Sequence, residues 1–161
     1  MSTRIFILAA LVLALAGAGG WYVWDQNRTK EFALLTPEEI AQSQAAGDAP
    51  LTRGLSVLKS SGPRINVFSP DGDALNSPVS FDIRLSERDG VAVNMKSIKI
   101  EYKSGVGWLN VTRRIMREAR VKGTKFTASG AVLPKGRHAL RLSVQDMDNR
   151  LTQAIVEFSV R

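Results

Sequence analysis

The sequence predicts an all-β protein, a seven-stranded antiparallel sandwich preceded by an N-terminal hydrophobic helix and a short linker. Apolar and polar residues alternate in several segments after Gly62, which is typical of strands with one buried face. A run of 20 residues without charge, Ile5–Trp24, predicts the hydrophobic helix. The predicted organisation is therefore a signal anchor or signal peptide in residues 1–24, a linker in residues 25–62 and the sandwich in residues 63–161.

The uncharged N-terminal run has two interpretations. As a signal anchor, residues 5–24 form a helix of about 30 Å, which matches the hydrocarbon core of a bilayer, and Trp21 and Trp24 lie at the outer interface. As a secretory signal peptide, the run is cleaved after Ala18, where small residues fit a signal peptidase. We favour the anchor, because cleavage would leave large aromatic residues exposed near the new N-terminus. Both interpretations carry the domain out of the cytoplasm.

The linker contains one helix-start signature. Thr36 can cap the first turn, Pro37 suits the first helical position, and Glu39 can reach back to the backbone of Thr36 as in a capping box. This pattern predicts a short helix near residues 36–46. A helix of this length is marginal in isolation.

Seven segments of the domain show the strand pattern. Alternation is complete in four of them and shorter in three: Val79–Leu85, Ile98–Tyr102, Leu140–Val144, Ala154–Val160, Ile65–Phe68, Leu109–Thr112 and Lys125–Ala128. Turn sequences such as Asp89-Gly90 separate them. Seven short strands with such turns predict two packed antiparallel sheets.

Several segments resemble bacterial Ig-like domains over about residues 63–161. The resemblance is carried by the following stretches: Val67–Leu75, Ser77–Val79, Val93–Ile100, Leu133–Leu140 and Val144–Asn149. It implies an Ig-like sandwich, and because it consists mostly of turn residues it implies a fold rather than a function. Asn149-Arg150 departs from the Gly-Asn that is commoner in the family, which leaves the type of the last turn open.

The segment from Pro70 to Pro78 is also similar to the opening of small periplasmic copper-binding Ig-like proteins. The metal sites of that family use an early histidine and further His or Met residues. Here Met95, Met116 and Met147 are scattered and no early histidine exists. This second resemblance therefore implies topology only, and the sequence predicts no cofactor.

Residue types that carry catalytic and metal chemistry are rare in this chain. The absence of cysteine excludes disulfides, thiolate metal sites and cysteine nucleophiles. His138 is the only histidine, and it shares strand parity with Leu140, so it is predicted to pack inside the sandwich. Asp71, Asp73 and Asn76 form a candidate calcium loop, although the same residues are common in ordinary turns. We expect no catalytic residues and no enzyme activity.

The basic character of the chain belongs to the domain. Residues 63–161 hold 17 Lys and Arg against 10 Asp and Glu, whereas residues 25–62 hold 4 against 5. A cationic surface favours anionic partners. The excess charge is also compatible with a role in solubility alone.

Six of the cations fall within residues 113–125. In a helix, Arg113, Arg117 and Arg120 would line one face and form a basic ridge. The ridge, together with Trp108 in a glycine-rich loop, is the predicted contact for a protein or polyanionic envelope partner. The alternative is a solvated crossover between the two sheets. Nucleic acid is not expected, because the domain is predicted to be exported and the cluster lacks interleaved aromatic residues.

These features together predict an exported, membrane-tethered module that binds a partner without catalysis. It would be anchored in the inner membrane, with the domain in the periplasm or outside the cell. The alternative is a soluble periplasmic ligand or metal carrier released by cleavage after Ala18.

Overall fold

Two five-stranded sheets pack against each other, and their inward-facing apolar side chains form one core. The computed structural model describes residues 30–45, 54–72, 74–105 and 107–161. The strands are β1 Phe32–Ala33, β2 Gly54–Ser60, β3 Arg64–Ser69, β4 Val79–Ser86, β5 Val93–Ser104, β6 Gly107–Asn110, β7 Arg120–Lys122, β8 Lys125–Val132, β9 Gly136–Asp146 and β10 Leu151–Val160. The helices are α1 Pro37–Ala45 and α2 Thr112–Glu118.

The ten strands form the two sheets of a sandwich. The first sheet has the order β1-β8-β4-β3, with β7 also paired to β8, and the second has the order β2-β10-β9-β5-β6. Neighbouring strands are antiparallel except β1 and β8, which are parallel. The all-β class and the two-sheet arrangement are therefore confirmed. The expected count of seven is too low, since the described residues form ten strands and β1, β2 and β7 were not predicted.

Inward-facing residues of both sheets build the core. Phe81 and Ile83 of β4 pair with Ala128 and Phe126 of β8, and all four are almost completely buried. Leu140 of β9 is buried in the same way from the second sheet. Burial of side chains of this size contributes roughly 1.5–3 kcal/mol each, so the alternating pattern is what selects these strand faces.

The segment assigned to a linker contributes to the folded unit. Phe32 of β1 pairs with β8, and Leu34 and Leu35 are buried in the core. The compact unit accordingly spans residues 31–161. The linker boundaries are corrected, because residues 31–45 and 54–60 belong to the fold. The apolar cluster of residues 32–35 is too short to show a periodic pattern, which is why it read as a spacer.

The helix α1 forms where the capping signature predicts it. The backbone amide of Glu39 donates to Oγ1 of Thr36 at 3.3 Å, and the amide of Thr36 donates to Oε2 of Glu39 at 2.7 Å. Its neighbour α2 is joined to it through Arg114, whose guanidinium contacts both carboxylate oxygens of Glu39 at 2.6 and 2.9 Å and the carbonyl of Leu34 at 2.8 Å.

The last turn, at Asn149-Arg150, is fixed by one left-handed residue and one buried carboxylate. Asn149 adopts a left-handed conformation with φ of 61°, which asparagine tolerates better than most residues. Asp146 is fully buried and accepts hydrogen bonds from the amides of Asp148 and Arg150 and from the Arg150 guanidinium. Burial opposes ionisation of Asp146, but these hydrogen bonds outweigh it and lower its pKa.

The predicted signal segment, residues 1–24, and its cleavage point after Ala18 lie outside the described residues. Within the part of the chain that the structure describes, neither helix has the length and apolar character needed to cross a membrane.

Candidate functional site

The predicted basic ridge does not form as one helical face. Arg113 and Arg117 lie exposed on α2, but the helix ends at Glu118 and Ala119 is extended, with ψ of 141°. Arg120 therefore begins strand β7 instead of the next helical turn. The expectation of a shared face for the three arginines is wrong, because pairing of residues 120–122 with β8 replaces the helix there.

Another cation of the same cluster points to a structural partner. Arg114 is held by Glu39 and by the carbonyl of Leu34. The Arg114 guanidinium keeps the pKa of Glu39 below its usual value. Arg114 thus fastens α1 to α2 and is not available to an external ligand.

Strand pairing brings three cations into one row on the outer face of the first sheet. Lys122 of β7 lies opposite Lys125 of β8, and Lys125 lies opposite Arg84 of β4. Neighbouring strands are about 4.8 Å apart, and like charges directly opposite one another destabilise a sheet. These three residues are called the cationic row below.

Further polar and aromatic residues surround the cationic row. Arg120 lies opposite Thr127, and Arg64 lies opposite Ser86 on the same face. Phe68 is 57% exposed, and the guanidinium of Arg84 lies 5.6 Å from the centre of its ring. The cationic row with Arg64 and Arg120 forms what is called the cationic face.

One carboxylate faces these cations in strands β3, β4, β7 and β8. The carboxylate of Asp82 forms an ion pair with Nζ of Lys125 at a distance of 2.9 Å. Its other oxygen, Oδ1, is buried and has no hydrogen-bond partner among the described residues. Five cations against one acid leave a strong positive excess on this surface, which is the chemistry that binds phosphate or carboxylate groups.

Trp108 occupies a different surface from the arginines. It lies on β6, opposite Lys103, and is half-buried instead of exposed in a loop. The guanidinium of Arg141 is 4.4 Å and Nζ of Lys103 is 5.4 Å from the ring centre. The sequence analysis assigned Trp108 and the basic ridge to one contact surface. In the structure Trp108 lies on the outer face of the second sheet instead, and its ring already contacts two cations.

An ion-pair network around the buried Glu101 lies beside Trp108. Glu101 is bound by Lys99 at 2.7 Å and by Arg141 at 2.7 Å. Burial opposes ionisation of Glu101, but the hydrogen bonds from Lys99 and Arg141 overcome it and lower the pKa. Lys99 and Arg141 hold Glu101 between strands β5 and β9, so the network stabilises the sheet.

His138 packs inside the sandwich, as its strand parity predicts. Its Nδ1 is 2.8 Å from the hydroxyl of Tyr102 and its Nε2 is 2.9 Å from the carbonyl of Pro134. A carbonyl can only accept, so Nε2 carries the proton and Nδ1 accepts from Tyr102. Burial lowers the pKa of His138 and raises the pKa of Tyr102 to about 12.

The candidate calcium loop is described only in part. Asp71 and Asn76 are exposed, Asp73 lies outside the described residues, and Oδ1 of Asn76 accepts from Nε of Arg161 at 3.0 Å. Among the described residues, no group of three or more His, Asp or Glu side chains is arranged to hold a metal ion.

Sequence reasoning missed Arg84, Arg64 and Phe68 as parts of a site. Each occupies an outward position of an alternating strand, so its exposure was readable. The sequence could not show that Arg84 lies beside Lys125, because this contact depends on the register between β4 and β8.

Comparisons with known proteins identify no family. No family model and no curated protein matches the chain. The chain is similar to the crystal structure of CopC from Methylosinus trichosporium OB3b, with a TM-score of 0.42 and 17% sequence identity, over 63% of this chain and 93% of that one. The architecture given above rests on the strand pairing of this chain itself.

Proposed function

We propose that the chain is an exported, non-enzymatic binding module that holds an anionic envelope partner on its cationic face. The partner carries closely spaced phosphate or carboxylate groups, as acidic lipid headgroups and polyanionic glycans do. The observation that supports this proposal is the cationic row, Lys122, Lys125 and Arg84, aligned across three strands.

The alignment has an energetic consequence. Three cations in direct register repel one another, and each such contact lowers the stability of the sheet. A bound anion removes that repulsion and adds charge-assisted hydrogen bonds. Binding is therefore favoured twice, once through attraction and once through relief of repulsion. The net charge of +7 also speeds the approach of an anionic partner.

The tether completes the proposal. Residues 5–24 act as an uncleaved signal anchor in the inner membrane, and Arg4 remains on the cytoplasmic side. The domain then lies in the periplasm or outside the cell. The support for this part is the uncharged run and the aromatic residues at its C-terminal end.

A triple substitution tests the cationic face. Arg84→Gln, Arg120→Gln and Lys122→Gln remove three charges and leave Lys125 with its partner Asp82. Each surface cation near an anionic layer is worth about 1 kcal/mol, so we expect roughly 100-fold weaker binding. The probes are heparin for glycans and phosphatidylglycerol vesicles for lipids, with phosphatidylcholine vesicles as the neutral comparison for the full chain.

The matched control removes the same charge elsewhere. Lys96→Gln, Lys103→Gln and Lys135→Gln change three exposed lysines of the second sheet and its turns. This control should retain binding to both anionic probes at low salt. Equal losses in the two triple variants would show that only net charge matters and would overturn the proposal. The probe that loses affinity identifies which class of anion the face prefers.

A further inference from the structure

The edge strand β2 leaves apolar side chains uncovered on the inner face of the second sheet. Leu55 lies opposite Val156 and Val57 opposite Ala154, so all four point toward the sandwich interior. Val156 and Ala154 are almost completely buried, whereas Leu55 is 43% and Val57 is 56% exposed. Within the part of the chain that the structure describes, the interior is therefore uncovered along β2.

The two flanks of the sandwich explain this difference. On one flank α1 contacts β5, and α2 contacts both β5 and β8, so helices cover the gap between the sheets. On the other flank β3 contacts β10. Since β2 lies outside β10 in the second sheet, its inner-facing residues extend past this contact.

The main chain of β2 is also an unprotected edge. β2 pairs with β10 on one side, and among the described residues no strand pairs with its other side. Proteins protect such edges with charges, prolines or bulges. Lys59 and the register shift near Leu58 protect the far end of β2, but Leu55–Val57 has none of these devices.

We propose that β2 of a second copy of this chain pairs antiparallel with this edge, around a two-fold axis through Ser56. In this register Ser56 lies opposite the partner's Ser56, and Leu55 lies opposite the partner's Val57. Directly opposite residues share a face, so the inner-facing apolar residues of the two copies cover one another. The contact is isologous and closes after one addition, which gives a continuous ten-stranded sheet.

Charge supports a second copy as the occupant. Glu157 lies opposite Gly54 on the outer face, and its Oε2 is buried with no hydrogen-bond partner among the described residues. In the proposed register Gly54 faces the partner's Leu58, so the partner's Lys59 comes next to this carboxylate. Lys59 also points to the outer face, because it lies opposite Gln153. The β2–β10 pair thus carries an acid near one end of β2, on β10, and a base near the other end, on β2, as an antiparallel self-contact requires.

The lack of cysteine in the chain permits a direct test. Ser56→Cys in the full chain, purified in mild detergent and oxidised, should give a disulfide-linked dimer. Opposite residues have Cα atoms about 4.5–5.5 Å apart, which fits disulfide geometry. Ser60→Cys is the control on the same strand, since two copies of residue 60 would lie roughly 26 Å apart. It should remain monomeric on a non-reducing gel.

A pair of valine substitutions tests the apolar contact independently. Val57→Lys should abolish the dimer of the full chain in sedimentation velocity, whereas Val121→Lys, at an edge-strand position of similar exposure (52%), should retain it. Equal crosslinking of the two cysteine variants, a monomeric wild type, or a disulfide that joins the Ser56→Cys variant to a different protein would overturn the proposal. These results are independent of the cationic face, which lies on the other sheet.

Discussion

At the scale of single residues, His138 shows how packing fixes a protonation state. It touches Tyr102 and Phe158 by ring contacts and is bound at both nitrogens. A proton added at Nδ1 would face the Tyr102 hydroxyl, whose own pKa is raised to about 12 by burial. The folded chain therefore keeps this imidazole neutral, and its role is structural.

We expect this neutral histidine to make stability depend on pH. The pKa of His138 is lowered by folding, so below pH 6.5 the unfolded chain binds a proton that the folded chain does not. Stability is fully present above about pH 6.5 and falls as the pH decreases from there, by at most about 1.4 kcal/mol per pH unit. Urea denaturation at pH 7.5, 6.5 and 5.5 measures it.

The variant His138→Gln provides the reference for that measurement. It removes the titrating group, so its stability should change less across the same interval. The lowered pKa values of Glu39 and Asp146 act at a lower pH, below about 4.5, and do not interfere. Equal slopes for the wild type and His138→Gln would contradict the assignment.

At the scale of elements, the junction of α1 and α2 depends on one arginine. Arg114 makes two contacts with Glu39 and one with the carbonyl of Leu34, and its side chain is 31% exposed. A nine-residue helix such as α1 has little stability of its own. The fixed position of α1 on the sandwich therefore comes from this junction and from its buried neighbours.

Arg114→Met should loosen α1 while keeping most of the packing volume. Hydrogen bonds to charged groups are worth about 1.5–3 kcal/mol, so we expect a loss of this size in the free energy of unfolding. Hydrogen exchange in residues 37–45 should become faster. The adjacent Arg113→Met, at an exposed position, is the matched control and should change stability by less than about 0.5 kcal/mol. Similar effects of both substitutions would refute the junction.

The elements differ in how far sequence predicts them. Six of the seven predicted segments lie within strands, because period two records a buried face in each of them. The seventh, Leu109–Thr112, overlaps β6 only at Leu109-Asn110, since a helix begins at Thr112. β1 and β7 have two and three residues, which is too few to show a period. In β2, the adjacent apolar pair Val57-Leu58 at the register shift interrupts the alternation.

The sequence predicted that the candidate site would be rich in Lys and Arg, but not which of these residues lie together. The excess of cations and the cluster at residues 113–125 were visible in the sequence. The cationic row depends on Arg84, which lies far earlier in the chain and joins Lys125 through strand register. Trp108 was expected in a loop because of Gly105 and Gly107, whereas β6 begins at Gly107. Long-range pairing, which leaves no local pattern, decided both outcomes.

At the scale of the whole molecule, the domain begins earlier than its alternating strands. Residues 32–35 add one edge strand and two buried leucines to the core. They lie on the flank that α1 and α2 cover. Residues 32–35 and the two helices therefore close the same side of the sandwich. A fragment starting at Pro63 would lack this part of the core.

Leu34→Ala tests that contribution. Leu34 is completely buried, and truncation of a buried leucine costs about 2–5 kcal/mol. Met147→Ala is the control, because Met147 is 64% exposed and its truncation should cost less than about 0.5 kcal/mol. Denaturant unfolding of both variants compares them. Equal stability would mean that residues 32–35 do not belong to the core.

The position of β10 in the second sheet has a consequence for the order in which that sheet can fold. β10 lies between β9, which directly precedes it in the chain, and β2, which lies about 90 residues earlier. Until Leu151–Val160 emerges, β2 has no ladder to join and β9 has an open side. Folding that depends on such distant contacts is slow. The second sheet can therefore close only when Leu151–Val160 is available to pair with both β2 and β9.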